Sequence, residues 1–209
     1  VAPGTYDVSL TLSTEQGDAV RVRMGLINLR PTPAFTGEPR SHAGGPHAVQ
    51  FEDQTDSGSL KINGWDWNFG DGGHSAAQNP SHTFAKPGLY AVSLTVLTDI
   101  GNSITTREGY VSIRPEAKFS ADVTSGVDSL TVQFTDETDP GNLSVLSWLW
   151  TFGDGSESTS RNPSNTYTEP GTYTVSLTTR SNEGSDTETR TGLIKVAPLV
   201  KFTGNPLTG

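Results

Sequence analysis

Cysteine is absent from this 209-residue chain, which excludes a disulfide framework and a thiolate zinc site. The absence is compatible with either redox compartment and does not place the protein. Basic charge is scarce: 14 Lys and Arg stand against 23 Asp and Glu, a net charge of −9. Nucleic-acid partners are therefore not expected, since phosphate binding needs clustered cations and the densest spot is Arg21-Val22-Arg23. No window approaches the ~18 apolar residues of a membrane span. The first residues, VAPGTYDVSL, lack the basic start and apolar stretch of a signal peptide and read as the interior of a longer chain. Hydrophobic residues make up only 32% and aromatics 8%, and no stretch shows a helical period. In their place come 23 glycines and 13 prolines, punctuation that suits short strands joined by turns.

An internal repeat organises what is present. WDWNFGDG at Trp65–Gly72 returns as WLWTFGDG at Trp148–Gly155, 83 residues later, and Asn79-Pro80-Ser81 returns as Asn162-Pro163-Ser164 at the same spacing. Ungapped alignment of Trp65–Val96 with Trp148–Thr179 gives 18 identities in 32 positions, so duplication is secure. Pro-Gly stands at the equivalent place before Tyr-x-Val-x-Leu three times, at Pro3, Pro87 and Pro170. Residues 1–31 match the end of a repeat, 32–115 and 116–198 are complete repeats, and 199–209 match the start of another. The expected reading is an excerpt from a longer array.

Strand periodicity runs through each repeat. Tyr90, Val92, Leu94 and Val96 share one face of YAVSLTV, as do Tyr173, Val175 and Leu177, and Tyr6, Val8, Leu10 and Leu12. Alternation at period two means a strand with one buried face. About seven such strands in 83 residues predict an all-β fold, a tandem series of immunoglobulin-like β-sandwiches arranged end to end. In that frame Trp65, Trp67 and Phe69 form one inward row, with Trp148, Trp150 and Phe152 its copy. Gly-Asp-Gly then turns the chain, glycine allowing positive φ and Asp accepting from nearby amides.

Trp-x-Phe-Gly-Asp-Gly, then Asn-Pro-x-(His/Asn)-x-(Phe/Tyr), then Pro-Gly-x-Tyr-x-Val-x-Leu resembles the polycystic-kidney-disease (PKD) domain family. The resemblance covers both complete repeats. It departs where the family usually has Asp between Trp and Phe, here Asn68 and Thr151, and where His82 becomes Asn165 in the second copy. It implies an extracellular, immunoglobulin-like module of the kind that serves as spacer, adhesive element or accessory domain of secreted hydrolases.

Residues that could carry chemistry are few. Asp71 and Asp154 repeat, but no second acid repeats beside them, because Asp66 aligns with Leu149 and His74 with Glu157. They are expected to form turns. All four histidines, His42, His47, His74 and His82, lie in the first complete repeat, and no Gly-x-Ser-x-Gly elbow occurs, so no enzyme is expected. Calcium is the one cofactor to consider. Asp53 with Asp56, and Asp136 with Asp139, lie in equivalent loops and are the candidate ligands, although their spacing is not an EF-hand's. The second repeat, with a charge of −7 against −3, is the better host. Trp65 and Trp148, at the start of the aromatic row, are the candidate ligand-binding residues. Asn142 in NLS is a candidate glycosylation site, whereas proline blocks Asn79 and Asn162.

The joints LRPTPAF, IRPEAKF and VAPLVKF are short and hold proline, which predicts semi-rigid links and about 35–40 Å of advance per repeat. The expected function is a non-catalytic extracellular or cell-surface structural or adhesive array, a stalk, surface-layer or filament segment. Its partners would be proteins, carbohydrate or copies of itself. The alternative is a tandem accessory module attaching a secreted hydrolase to polysaccharide or collagen.

Overall fold

A computed structural model describes residues 1–200. The expected start of a further repeat at 199–209 falls, from residue 201 on, outside them. The described residues are all β. Strands β1 (Gly4–Thr14) and β2 (Gly17–Leu29) form an antiparallel hairpin. A first sandwich follows: β3 (Phe35–Glu38), β4 (Ser41–Ala43), β5 (His47–Asp53), β6 (Ile62–Asn68), β7 (His74–Ser75), β8 (Ser81–Phe84), β9 (Gly88–Thr98) and β10 (Ser103–Arg114). The second repeats it: β11 (Phe119–Ala121), β12 (Ser125–Val127), β13 (Leu130–Asp136), β14 (Ser147–Thr151), β15 (Glu157–Ser158), β16 (Ser164–Tyr167), β17 (Gly171–Ser181) and β18 (Gly184–Ala197).

Each sandwich faces a three-stranded sheet, β3-β5-β8 or β11-β13-β16, with a five-stranded one, β4-β10-β9-β6-β7 or β12-β18-β17-β14-β15. The short strand β12 joins β18 in parallel, while β17 pairs antiparallel with both β14 and β18. This is the two-layer, immunoglobulin-like arrangement that the strand periodicity predicts.

Two compact units result. The first takes in Val1–His42, Pro46–Ala85 and Leu89–Ser112; the second takes in Ala43–Gly45, Lys86–Gly88 and the chain from Ile113 onward.

The cores follow the alternation. In β9, Tyr90, Val92, Leu94 and Val96 are buried while the intervening residues are at least partly exposed. The second core joins Phe119, Val132, Phe134, Trp150, Phe152, Tyr167, Val175, Leu177 and Ile194. Most of its rings meet at tilted or edge-on angles, as aromatic quadrupoles prefer: Phe119 and Trp150 lie 5.2 Å apart at 75°, while Trp150 and Phe152 stack at 8°. The same pair recurs in the first core as Phe35 and Trp67, 5.3 Å apart at 71°. The hairpin is the exception. Val8, Leu10 and Leu12 are 37%, 70% and 61% exposed, although they continue the pattern buried in β9 and β17. Among the described residues β1 and β2 form a sheet of only two strands, with no second sheet to cover that face.

Candidate functional site

The aromatic row divides. Trp67, Phe69, Trp150 and Phe152 are at most 1% exposed, whereas Trp65 and Trp148 at the outer end of each row are half-buried. Pairing of β6 with β9 and of β14 with β17 places each outer tryptophan opposite Val96 or Thr179. The half-buried ring still needs an acceptor for its indole nitrogen. Trp148 Nε1 donates to Asp136 Oδ2 at 2.9 Å, and Trp65 Nε1 donates to Asp53 Oδ2 at 2.8 Å.

Asp53 and Asp136 are thus hubs inside the domain. Asp136 Oδ1 accepts from Thr138 N at 3.0 Å, and Oδ2 accepts from Arg161 Nε at 3.2 Å as well as from Trp148. Its carboxylate is only 1% exposed, while the Arg161 side chain is 62% exposed and lies with its guanidinium 5.9 Å from the Trp148 ring centre. Asp53 Oδ1 accepts from Thr55 N at 3.0 Å and Thr55 Oγ1 at 2.5 Å, and Gln78 Nε2 reaches Oδ2 at 3.3 Å. The second acid of each candidate calcium pair closes its own loop. Asp56 Oδ1 accepts from Gly58 N and Asp139 Oδ1 from Gly141 N, both at 2.9 Å. Among the described residues no three His, Asp or Glu side chains stand close enough together to hold a metal ion. Asn142 has an exposed side chain, and its backbone N donates to Pro87 O at 3.1 Å.

Asp71 and Asp154 form turns as expected. Asp71 Oδ1 accepts from Gly73 N and Asp154 Oδ1 from Ser156 N, each at 2.9 Å. The preceding glycines are obligatory. Gly70 and Gly153 have φ of +81° and +82°, and an added Cβ would lie 2.3 Å from Ala91 O or 2.5 Å from Thr174 O. Burial pushes the Asp154 carboxyl up, but hydrogen bonds from Ser156 and Asn165 together outweigh it and leave its pKa below the ordinary value.

Three further contacts escape the sequence reading. His82 Nε2 lies 2.8 Å from Asp71 Oδ2 and its ring stacks on Phe69 with centroids 4.1 Å apart. Asn165 Nδ2 takes the same place on Asp154 Oδ2, also at 2.8 Å, so a side-chain donor is kept although the histidine is lost. The signal in the sequence is the constant 11-residue step from the turn aspartate to the second position after Asn-Pro. Asn79 Oδ1 accepts from Asp53 N and Asn162 Oδ1 from Asp136 N, at 2.9 and 2.8 Å, which gives the repeated Asn-Pro a role. Gln50 and Gln133, repeated in Val-Gln-Phe, each direct Nε2 at three backbone carbonyls, those of Gln133 at 3.0 Å. Elsewhere His42 and His47 stack at 4.6 Å, with His47 Nε2 3.1 Å from Pro39 O.

Comparison with known proteins extends this picture. The PKD domain family model matches twice in tandem, over residues 28–113 and 112–196. Collagenase ColA of Bacillus cereus is 44% identical over 68 residues, which cover 32% of this chain and 7% of that protein. A microbial collagenase of Vibrio alginolyticus is 40% identical over 72 residues, 34% of this chain and 9% of the relative. The chain therefore spans less than a tenth of the length of these relatives. Among solved structures, the PKD1 domain of the Vibrio cholerae metalloprotease PrtV is 36% identical, with a TM-score of 0.36 over 41% of this chain and 99% of that one.

Proposed function

The chain belongs to the PKD domain family, and from that premise we propose that it is a non-catalytic structural segment, a tandem spacer and interaction module of an extracellular or cell-surface protein. One observation carries the reading. The residues that suggested chemistry are fixed in equivalent hydrogen-bonded frames in both copies, Asp53 with Trp65 and Asp136 with Trp148. Duplicated side chains that satisfy one another in the same way in both copies serve to maintain a fold. The relatives support the location: two are named collagenases, and collagen is an extracellular protein.

A second reading has its own support. Those relatives are hydrolases, and Trp65 and Trp148 keep part of each ring at the surface. In that reading the module holds a secreted hydrolase on collagen or polysaccharide, with the two indoles as the contact. Co-sedimentation with insoluble collagen, chitin and cellulose separates the two. The spacer reading expects the protein to stay in the supernatant. Retention that is lost in a Trp65→Ala, Trp148→Ala double variant would replace it with the second.

A further inference from the structure

Pro-Gly occurs at three equivalent places, Pro3-Gly4, Pro87-Gly88 and Pro170-Gly171, and the structure treats the third differently. In the first unit Pro3 and Gly4 are buried, and Ser59 N donates to Pro3 O at 3.2 Å. Gly58, at φ +55°, permits this approach, since an added Cβ would lie 2.0 Å from Pro3 O. In the second unit Pro87 and Gly88 are buried, and Asn142 N donates to Pro87 O at 3.1 Å. Gly141, at φ +58°, would place a Cβ 1.7 Å from Pro87 O. In both receiving loops an aspartate two residues earlier, Asp56 or Asp139, holds the glycine amide at 2.9 Å. The contact is thus one device made twice: a Pro-Gly turn seated on an Asp-x-Gly loop.

The third turn is built but, among the described residues, not seated. Pro170 is exposed and Gly171 half-exposed. Its shape does not wait for a partner, because Tyr173 OH donates to Glu169 O at 2.7 Å and braces the turn from within. Tyr6 OH makes the corresponding bond to Ala2 O beside the seated Pro3-Gly4. We infer that Pro170-Gly171 is a preformed docking surface for a further copy of this same fold, following in the same polypeptide and received through its Asp-x-Gly loop. The carbonyl of Pro170 accepts the amide after that glycine, and the glycine leaves room for it. Arg30, whose Nη1 donates to Asn102 O at 3.0 Å in the first unit, corresponds to Ala197 in the last repeat, so this seam rests on the turn itself. The inference stands on the recurrent contact and not on the extracellular reading; retention on collagen would leave it intact.

The test is the full chain carrying residues 116–198 twice in tandem, so that Pro170 of the first copy precedes a second Asp-Pro-Gly-Asn loop. Hydrogen exchange of the appended copy's equivalent of the Asn142 amide is read beside the original Asn142 as internal standard. The expected result is matching protection in both, reduced at least about tenfold in the appended copy by Pro170→Glu in the preceding one, which corresponds to about 1.4 kcal/mol. Pro170→Glu in the 209-residue chain is expected to leave its melting temperature unchanged, which separates loss of docking from loss of folding. Equal exchange with and without Pro170→Glu would overturn the inference. So would concentration-dependent self-association of the 209-residue chain that Pro170→Glu abolishes, since the occupant would then be a separate chain.

Discussion

Removal of the Asp136 carboxylate should cost the second sandwich a large part of its stability. Asp136→Ala leaves two donors without their acceptor, Thr138 N in a residue 6% exposed and Trp148 Nε1 on a half-buried ring. A buried group stranded in this way costs about 1–3 kcal/mol. Arg161, whose side chain is 62% exposed, turns to water and loses no more than about 1 kcal/mol. The expected total is about 2–7 kcal/mol, against the roughly 5–15 kcal/mol available to a domain. Asp136→Asn sharpens the point. If its amide oxygen keeps Thr138, its NH2 faces the Trp148 and Arg161 donors, so about 2–3 kcal/mol should still be lost. Arg161→Ala should cost about 1 kcal/mol or less. Urea denaturation followed by tryptophan fluorescence gives the values, and hydrogen exchange on strands β13 and β14 assigns the loss to the second repeat. The hub reasoning is refuted if Asp136→Ala costs under about 1 kcal/mol. It fails equally if Arg161→Ala costs as much as Asp136→Ala, because the exposed charge pair would then be the source of the stability.

Four other outcomes are expected. The Tyr167 phenol, which donates to Phe152 O at 3.1 Å, is pushed up by burial to about 12. A group raised in the fold favours folding below its unfolded value of 10.0 and loses that contribution as pH rises through the folded value, so alkaline difference absorbance should show a late-titrating phenol that Tyr167→Phe removes. The Asp154 carboxyl is lowered in the fold, so its contribution is present above about pH 4 and fades as pH falls through the folded value; stability curves of the parent and Asp154→Asn should converge in acid. Gly153→Ala should destabilise by about 1–3 kcal/mol or more in thermal unfolding, because its φ is +82° and the new Cβ would press on Thr174 O; a neutral result would contradict the turn geometry. Calcium should leave the melting temperature unmoved, because Asp53 and Asp136 already accept from protein donors; a rise of several degrees that Asp139→Asn abolishes would reverse that expectation.

Much of the fold was legible because it is written in periodicity. The alternation Tyr90, Val92, Leu94, Val96 is a direct record of which side of β9 meets the opposing sheet, and the structure buries all four. The turn at Asp71 and Asp154 was equally readable, since glycines flanking a short acid have one local use. The hairpin shows the limit of such reading. Val8, Leu10 and Leu12 carry the same code, yet whether a sheet covers them depends on strands far away in the sequence.

The sequence by itself determined the repeat, through self-similarity at a spacing of 83 residues, and it determined the strand phase, the inward aromatic row and the glycines of the turns, because each of these depends on residues within a few positions. Only the tertiary structure decided what the acids do. Asp136 stands three residues from Asp139 in the chain, and the fold gives it distant partners as well, Trp148 at a separation of 12 and Arg161 at 25. The fold brings those groups together, and the carboxylate satisfies the buried Thr138 amide and the half-buried Trp148 indole, which would otherwise lack an acceptor. The same holds for Pro-Gly. Sequence marked it three times as a turn, and the fold divided the three into two that are seated and one that is exposed. Seating depends on a glycine 54 or 55 residues further along, Gly58 for Pro3 and Gly141 for Pro87, a relation that no local pattern encodes.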